Sequence, residues 1–178
     1  MMRIVILYGL IAGLIVAVPM VALMVATPGD APHSSALYGY LTMIVALTVV
    51  FLGIKQYRDK TFGGVIKFGP ALLVGLGISA VASLLYVFAW ELSLALTSFD
   101  FGEVYTKSLM DAARAKGASE ADLQKIMDDG KSFGELYRNP LFRMPMTFVE
   151  MFPVGVLISL ISAAMLRNSR VLPAKQPS

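Results

Sequence analysis

The chain has 178 residues, of which 57% are hydrophobic and only 15% charged, with Lys and Arg outnumbering Asp and Glu by 15 to 12. Soluble domains carry roughly a quarter charged residues, so this composition excludes a water-facing surface over most of the chain. The lack of cysteine excludes disulfides, iron–sulfur clusters and thiolate metal sites. The basic residues flank apolar runs and form no patch interleaved with aromatics, which argues against nucleic acid as a partner.

The first apolar run, Ile4–Ala26, follows Arg3. At about 1.5 Å of rise per residue, roughly 20 residues cross a hydrocarbon core of about 30 Å. The run reaches that length and exceeds the roughly 7–15 residues of a signal-peptide core, so an uncleaved membrane helix is expected. A polar loop, Thr27–Ser35, holds Asp30 and His33 and leads to a second uncharged run, Ala36–Ile54. Lys55, Arg58, Lys60 and Lys67 then crowd a connector whose Gly63-Gly64 pair suits a tight return. The third run, Phe68–Trp90, is uncharged and continues past Glu91 to Leu96; the fourth, Met144–Leu166, is interrupted only by Glu150. The expected fold is all-α: one integral membrane domain of four transmembrane helices in a bundle, spanning about 4–26, 36–54, 68–96 and 144–166.

Between the third and fourth runs lies a long segment, residues 97–143. Gly117 is placed to end a first helix begun near Gly102, Ser119 with Asp122 spells a capping box for a second, and Lys131–Asn139 reads as a further short helix closed by Asn139-Pro140. Val104, Met110, Leu123, Ile126 and Met127 are its apparent apolar stripe. Connectors in helical bundles usually take roughly 2–8 residues, and insertions as large as this tend to be functional. Two roles are open: a cap on the bundle, or a surface for a partner.

Basic residues in short loops stay cytoplasmic. Arg3, the Lys55–Lys67 group, and Arg167, Arg170 and Lys175 therefore put both termini and the second connector inside, and residues 97–143 outside. The outer segment has seven basic residues against eight acidic ones, and Arg138 and Arg143 stand close to the last span, against the rule. Tyr8, Tyr57, Phe62 and Phe68 are placed to form an inner aromatic belt, and Tyr38, Tyr40, Phe88, Trp90, Phe142 and Phe148 an outer one.

Small residues recur every fourth position: Gly9, Gly13 and Ala17; Ala71, Gly75, Ser79 and Ser83; Gly155, Ser159 and Ala163. Such stripes let helix backbones approach closely, either within the bundle or across a homodimer. Glu150 and Glu91 are the candidate intramembrane polar site. A carboxylate inside a span costs a few kcal/mol unless it faces protein or water, so each serves as a structural ion pair with Arg143 or Arg138, as a proton-linked site, or as a partner contact. At 100° per residue, Glu150 points away from Gly155 and Ser159.

No catalytic, metal or cofactor-binding residues are assigned. His33 is the only histidine, and no HExxH, GxSxG or phosphate-loop signature occurs. Ser79, Ser83, Ser159 and Ser162 read as hydroxyls bonded to helix carbonyls, since no base stands by to activate them.

Gly53-Ile54-Lys55-Gln56-Tyr57-Arg58-Asp59-Lys60, then Gly63-Gly64-Val65-Ile66-Lys67-Phe68-Gly69, and on through Ala71, Gly75 and Tyr86, resembles the bacterial membrane proteins of the domain-of-unknown-function family 4199. The resemblance runs from Ile4 to about Leu166. It implies a small multi-pass protein of the bacterial inner membrane and carries over no catalytic or ligand residue. Within its loop motif, Lys55, Arg58 and Lys60 are expected at the anionic inner leaflet. The functional expectation is a non-enzymatic accessory or scaffolding component in contact with the lipid bilayer, an envelope protein or a second copy of itself. The alternative is a small transporter or proton-linked permeation component using Glu150 and Glu91.

Overall fold

The computed structural model describes residues 1–26, 36–97 and 99–174; Asp30, His33, Lys175 and the Tyr38 side chain lie outside them. Among the described residues there are six helices and no strand: α1 (Met2–Ala26), α2 (Ala36–Phe62), α3 (Phe68–Leu96), α4 (Phe101–Ala115), α5 (Glu120–Tyr137) and α6 (Pro140–Leu166). Four of them, α1, α2, α3 and α6, are long and apolar enough to cross a membrane. They pack side by side, and α4 and α5 form a hairpin at one end of the bundle.

α3 is the hub. It runs parallel to α1, with Val5 beside Gly77, Gly9 beside Val81 and Gly13 beside Leu85, and antiparallel to α6, with Gly75 against Ser159 and Ser79 against Gly155. These approaches are too close for larger residues. A Cβ on Gly75 would lie 2.8 Å from the Ser159 Cβ, and one on Gly155 would lie 2.6 Å from the Ser79 Cβ. The small-residue stripes at Gly9, Gly13, Gly75, Ser79, Gly155 and Ser159 thus pack inside the bundle. Around them Leu47, Val50, Ile54, Val74, Ile78 and Met151 are fully buried. Large apolar side chains such as Leu14, Val45, Leu73, Phe88 and Leu157 cover the outside of the bundle, where lipid rather than water would meet them without a hydrophobic penalty.

Several boundaries differ from the sequence expectation, each for a local reason. α2 does not stop at Ile54 but continues to Phe62, because nothing from Lys55 to Thr61 breaks a helix. The chain returns only at Gly63 and Gly64, whose φ values of +60° and +99° require glycine. α5 is unbroken from its Ser119–Asp122 capping box to Tyr137, so Lys131–Asn139 is no separate helix. Gly130 and Gly134 are there for contact: a Cβ on Gly130 would fall 2.2 Å from Thr106 Oγ1, and one on Gly102 would fall 2.7 Å from the Gly134 Cα. α6 begins at Pro140, four residues before the expected span, with Asn139 as its N-cap and proline in the first turn, where its missing N–H is harmless. Ser83 also departs from expectation: its hydroxyl is buried without a hydrogen-bond partner among the described residues.

Replacing Gly75 by leucine should destabilise the bundle by at least about 2 kcal/mol, the scale of overpacking a tight core. Gly39→Leu, at a position with nothing within 4 Å, should cost little. Reversible unfolding of the detergent-solubilised protein would measure both.

Candidate functional site

Polar groups gather where the hairpin meets the bundle. Starting α6 at Pro140 puts Arg143 in its first turn, across from Glu91 near the end of α3. The Arg143 guanidinium grips both oxygens of Glu91 in a forked pair, with Nε donating to Oε1 at 2.7 Å. Its third nitrogen, Nη1, donates to the Tyr137 carbonyl at 3.1 Å, and the guanidinium carbon lies 5.8 Å from the Tyr137 ring centroid. The pair is mostly enclosed, with 13% of the Arg143 side chain and 19% of Glu91 exposed. One arginine therefore ties α3, α5 and α6 together, and Glu91 is committed to an ion pair.

An aromatic cluster fills the seam between hairpin and bundle. Trp90 Nε1 donates to the Tyr137 hydroxyl at 2.9 Å. The Phe101 ring stacks on Tyr137 at 4.7 Å and takes Trp90 edge-on at 5.8 Å, and Phe133 packs between Tyr105 and Tyr137. Burial raises the Tyr137 hydroxyl above its ordinary value, against the lowering effect of the Trp90 hydrogen bond. Of the expected apolar stripe, Leu123 is buried and Val104, Met110, Ile126 and Met127 are half-buried; the aromatic cluster lies outside that expectation. The missed signal was spacing: Phe101 and Tyr105, and Phe133 and Tyr137, are each four apart and so share one helix face.

At the start of α4, Asp100 caps the helix by accepting from the Glu103 N–H at 3.1 Å and pairs with Arg138 at 3.1 Å. The Glu103 hydrogen bond first, and then Arg138, hold its carboxyl below the usual carboxylate range. Arg138 and Arg143, the two residues that break the charge rule for an outer segment, are thus both matched by acids. Between α4 and α5 runs an open groove of about 640 Å³, lined by both signs of charge, including Glu103, Lys107, Asp111, Arg114, Lys131 and Glu135.

Glu150 stands apart from Glu91. It is exposed on α6, turned away from the buried Gly155 and Ser159 as helical geometry requires, and the buried Tyr86 of α3 is its polar neighbour. The two candidate carboxylates therefore have different partners and form no joint site.

At the opposite end of the bundle, Arg58 overturns its expected place at the lipid surface. It is fully buried. Its Nε pairs with Asp59 at 2.8 Å, Nη1 donates to the Val171 carbonyl at 2.9 Å, and Nη2 donates to the carbonyl of Leu172, which sits at φ +46°. The C-terminal carbonyls of α6 and the segment after it supply what water or a headgroup would otherwise give this charge. Lys55 is half-buried and pairs with Asp59 at 2.6 Å; Lys60 alone of the three is exposed. Among the described residues, no group of three or more histidine or acidic side chains is arranged to hold a metal.

With this geometry established, residues 7–168 match the family described as protein of unknown function, DUF4199. The chain belongs to that family. The match takes in most of α1 and the whole of α2 to α6, the hairpin included. No curated protein and no solved structure matches the chain.

Breaking the fork at either end strands a charge that is largely shielded from water. Glu91→Gln and Arg143→Gln should each cost about 3 kcal/mol, and the double variant less than the sum; unfolding of all four proteins in one detergent measures the coupling. Asp100 has a folded value below its unfolded one, so its contribution is complete above about pH 4 and is lost as the pH falls through the folded value. The fluorescence of Trp90, the single tryptophan, should report a loosening of the hairpin below about pH 4, and Asp100→Asn should shrink that acid step.

Proposed function

We propose that the chain is a multi-pass protein of the bacterial inner membrane with both termini cytoplasmic. Its role is that of a non-enzymatic accessory or scaffolding component, which binds another envelope protein through the α4–α5 hairpin. The observation that carries this reading is the hairpin itself. It has its own aromatic core, it is fastened to the bundle by Arg143, and it presents an open groove lined by charges of both signs. A rigid mount with an accessible charged surface suits protein recognition, where charge complementarity sets register and partner choice. The acid partners of Arg138 and Arg143 support an outer position for the hairpin, since those two residues were the main obstacle to it.

Transport draws less support. Glu91 is held by Arg143, Glu150 lies on the outside of α6, and the helices meet through a fully buried apolar layer that includes Leu47, Val50, Val74, Ile78 and Met151. A proton-linked permeation component would use carboxylates in that layer, whereas its buried polar residues Ser79, Ser83, Ser159 and Ser162 carry hydroxyls.

Reversing two charges of the groove, Lys107→Glu with Lys131→Glu, leaves the aromatic seam in place. Crosslinking of the tagged protein in its native membrane, followed by mass spectrometry, should recover one envelope protein with the native chain and lose it with this variant at unchanged thermal stability. Recovery of only the chain itself, or of the same partner with both proteins, would overturn the reading.

A further inference from the structure

The outward face of α6 is apolar except at one place. Met146, Val149, Leu157, Leu160 and Ile161 are exposed along it, and Glu150 is exposed among them. Glu150 lies about 15 Å along the helix from Pro140 and about 24 Å from Leu166. A hydrocarbon slab of about 30 Å fitted anywhere within this helix encloses it. A second acceptor lies one residue before it in the chain: Pro153, also exposed, has no N–H, so the Val149 carbonyl lacks its usual helical donor. The spot is therefore rich in acceptors. A carboxylate has about four lone-pair sites, and Tyr86 is the one polar side chain named beside it.

Among the described residues there is no cation that a second, like-oriented copy could bring to this depth. The basic residues of the described spans stand at helix ends: Arg3, the Lys55–Lys60 group, and Arg143, which is taken by Glu91. The small-residue stripes that would pair two copies pack within the bundle instead. Charge complementarity thus calls for a different chain.

We propose that the Glu150 face of α6 is a docking surface for a transmembrane helix of a second protein that carries a lysine or arginine at the depth of Glu150. The cation satisfies the carboxylate and the Val149 carbonyl together, and the flanking apolar residues pack against the partner's helix. The proposal rests on the membrane reading above and adds an intramembrane contact, distinct from the hairpin, with partner chemistry of its own.

The test uses the full-length protein, labelled and reconstituted in phosphatidylcholine vesicles with synthetic leucine-rich transmembrane peptides, one bearing a single lysine at the matched depth and one bearing leucine there. Energy transfer should show the lysine peptide associating about fivefold or more tightly than the leucine peptide. Glu150→Gln should abolish that advantage, and Glu103→Gln, on the hairpin, should keep it. Equal association of the two peptides, an advantage that survives Glu150→Gln, or Glu150-dependent energy transfer between copies of the chain itself would overturn the proposal. Extraction of the chain from vesicles by alkaline carbonate would instead overturn the membrane reading, so the two failures are distinguishable.

Discussion

The structure depends on how closely α3 approaches its neighbours. In a lipid-facing bundle, helix association gains little from the hydrophobic effect and relies on van der Waals contact and a few hydrogen bonds. Gly75 against Ser159 and Gly155 against Ser79 give α3 and α6 a reciprocal fit, sealed by the 3.2 Å contact between the two serine hydroxyls. Gly9 and Gly13 give α1 the same closeness. Everything placed at the two ends of the bundle inherits its position from this contact, because α3 and α6 carry Glu91 and Arg143 at one end and α6 delivers its last carbonyl to Arg58 at the other.

Two buried or nearly buried arginines finish the ends in different ways. Arg143 makes a side-chain ion pair and joins three helices under the hairpin. Arg58 relies mainly on backbone carbonyls and fastens the residues after α6 against the end of α2. Both use the planar, multi-donor guanidinium, which a lysine cannot reproduce. Both charges are satisfied within the chain, whereas the hairpin groove, Lys60 and Glu150 remain exposed.

The hairpin repeats in miniature the packing used in the bundle. Gly102 meets Gly134, and Gly130 receives Thr106, so α4 and α5 touch closely on one side while aromatic rings fill the other. A segment with so few aliphatic residues gains its rigidity from these rings and from the backbone contact. It is also the most charged part of the chain, which leaves its open side polar.

The sequence by itself determined the four long apolar helices, the glycine return at Gly63 and Gly64, the Ser119–Asp122 cap and the family. The helices, the return and the cap rest on local length, periodicity and turn chemistry, which neighbours in the chain fix, and the family rests on resemblance along most of the chain. It also gave the outward direction of Glu150, since helical phase relative to Gly155 needs no tertiary information. Only the tertiary structure decided that Arg143 takes Glu91, that Arg58 is buried and not on the lipid surface, and that Gly130 and Gly134 serve contact and not a break. Each of those outcomes joins residues far apart in the chain, and the energy that selects it comes from a partner that local sequence does not name.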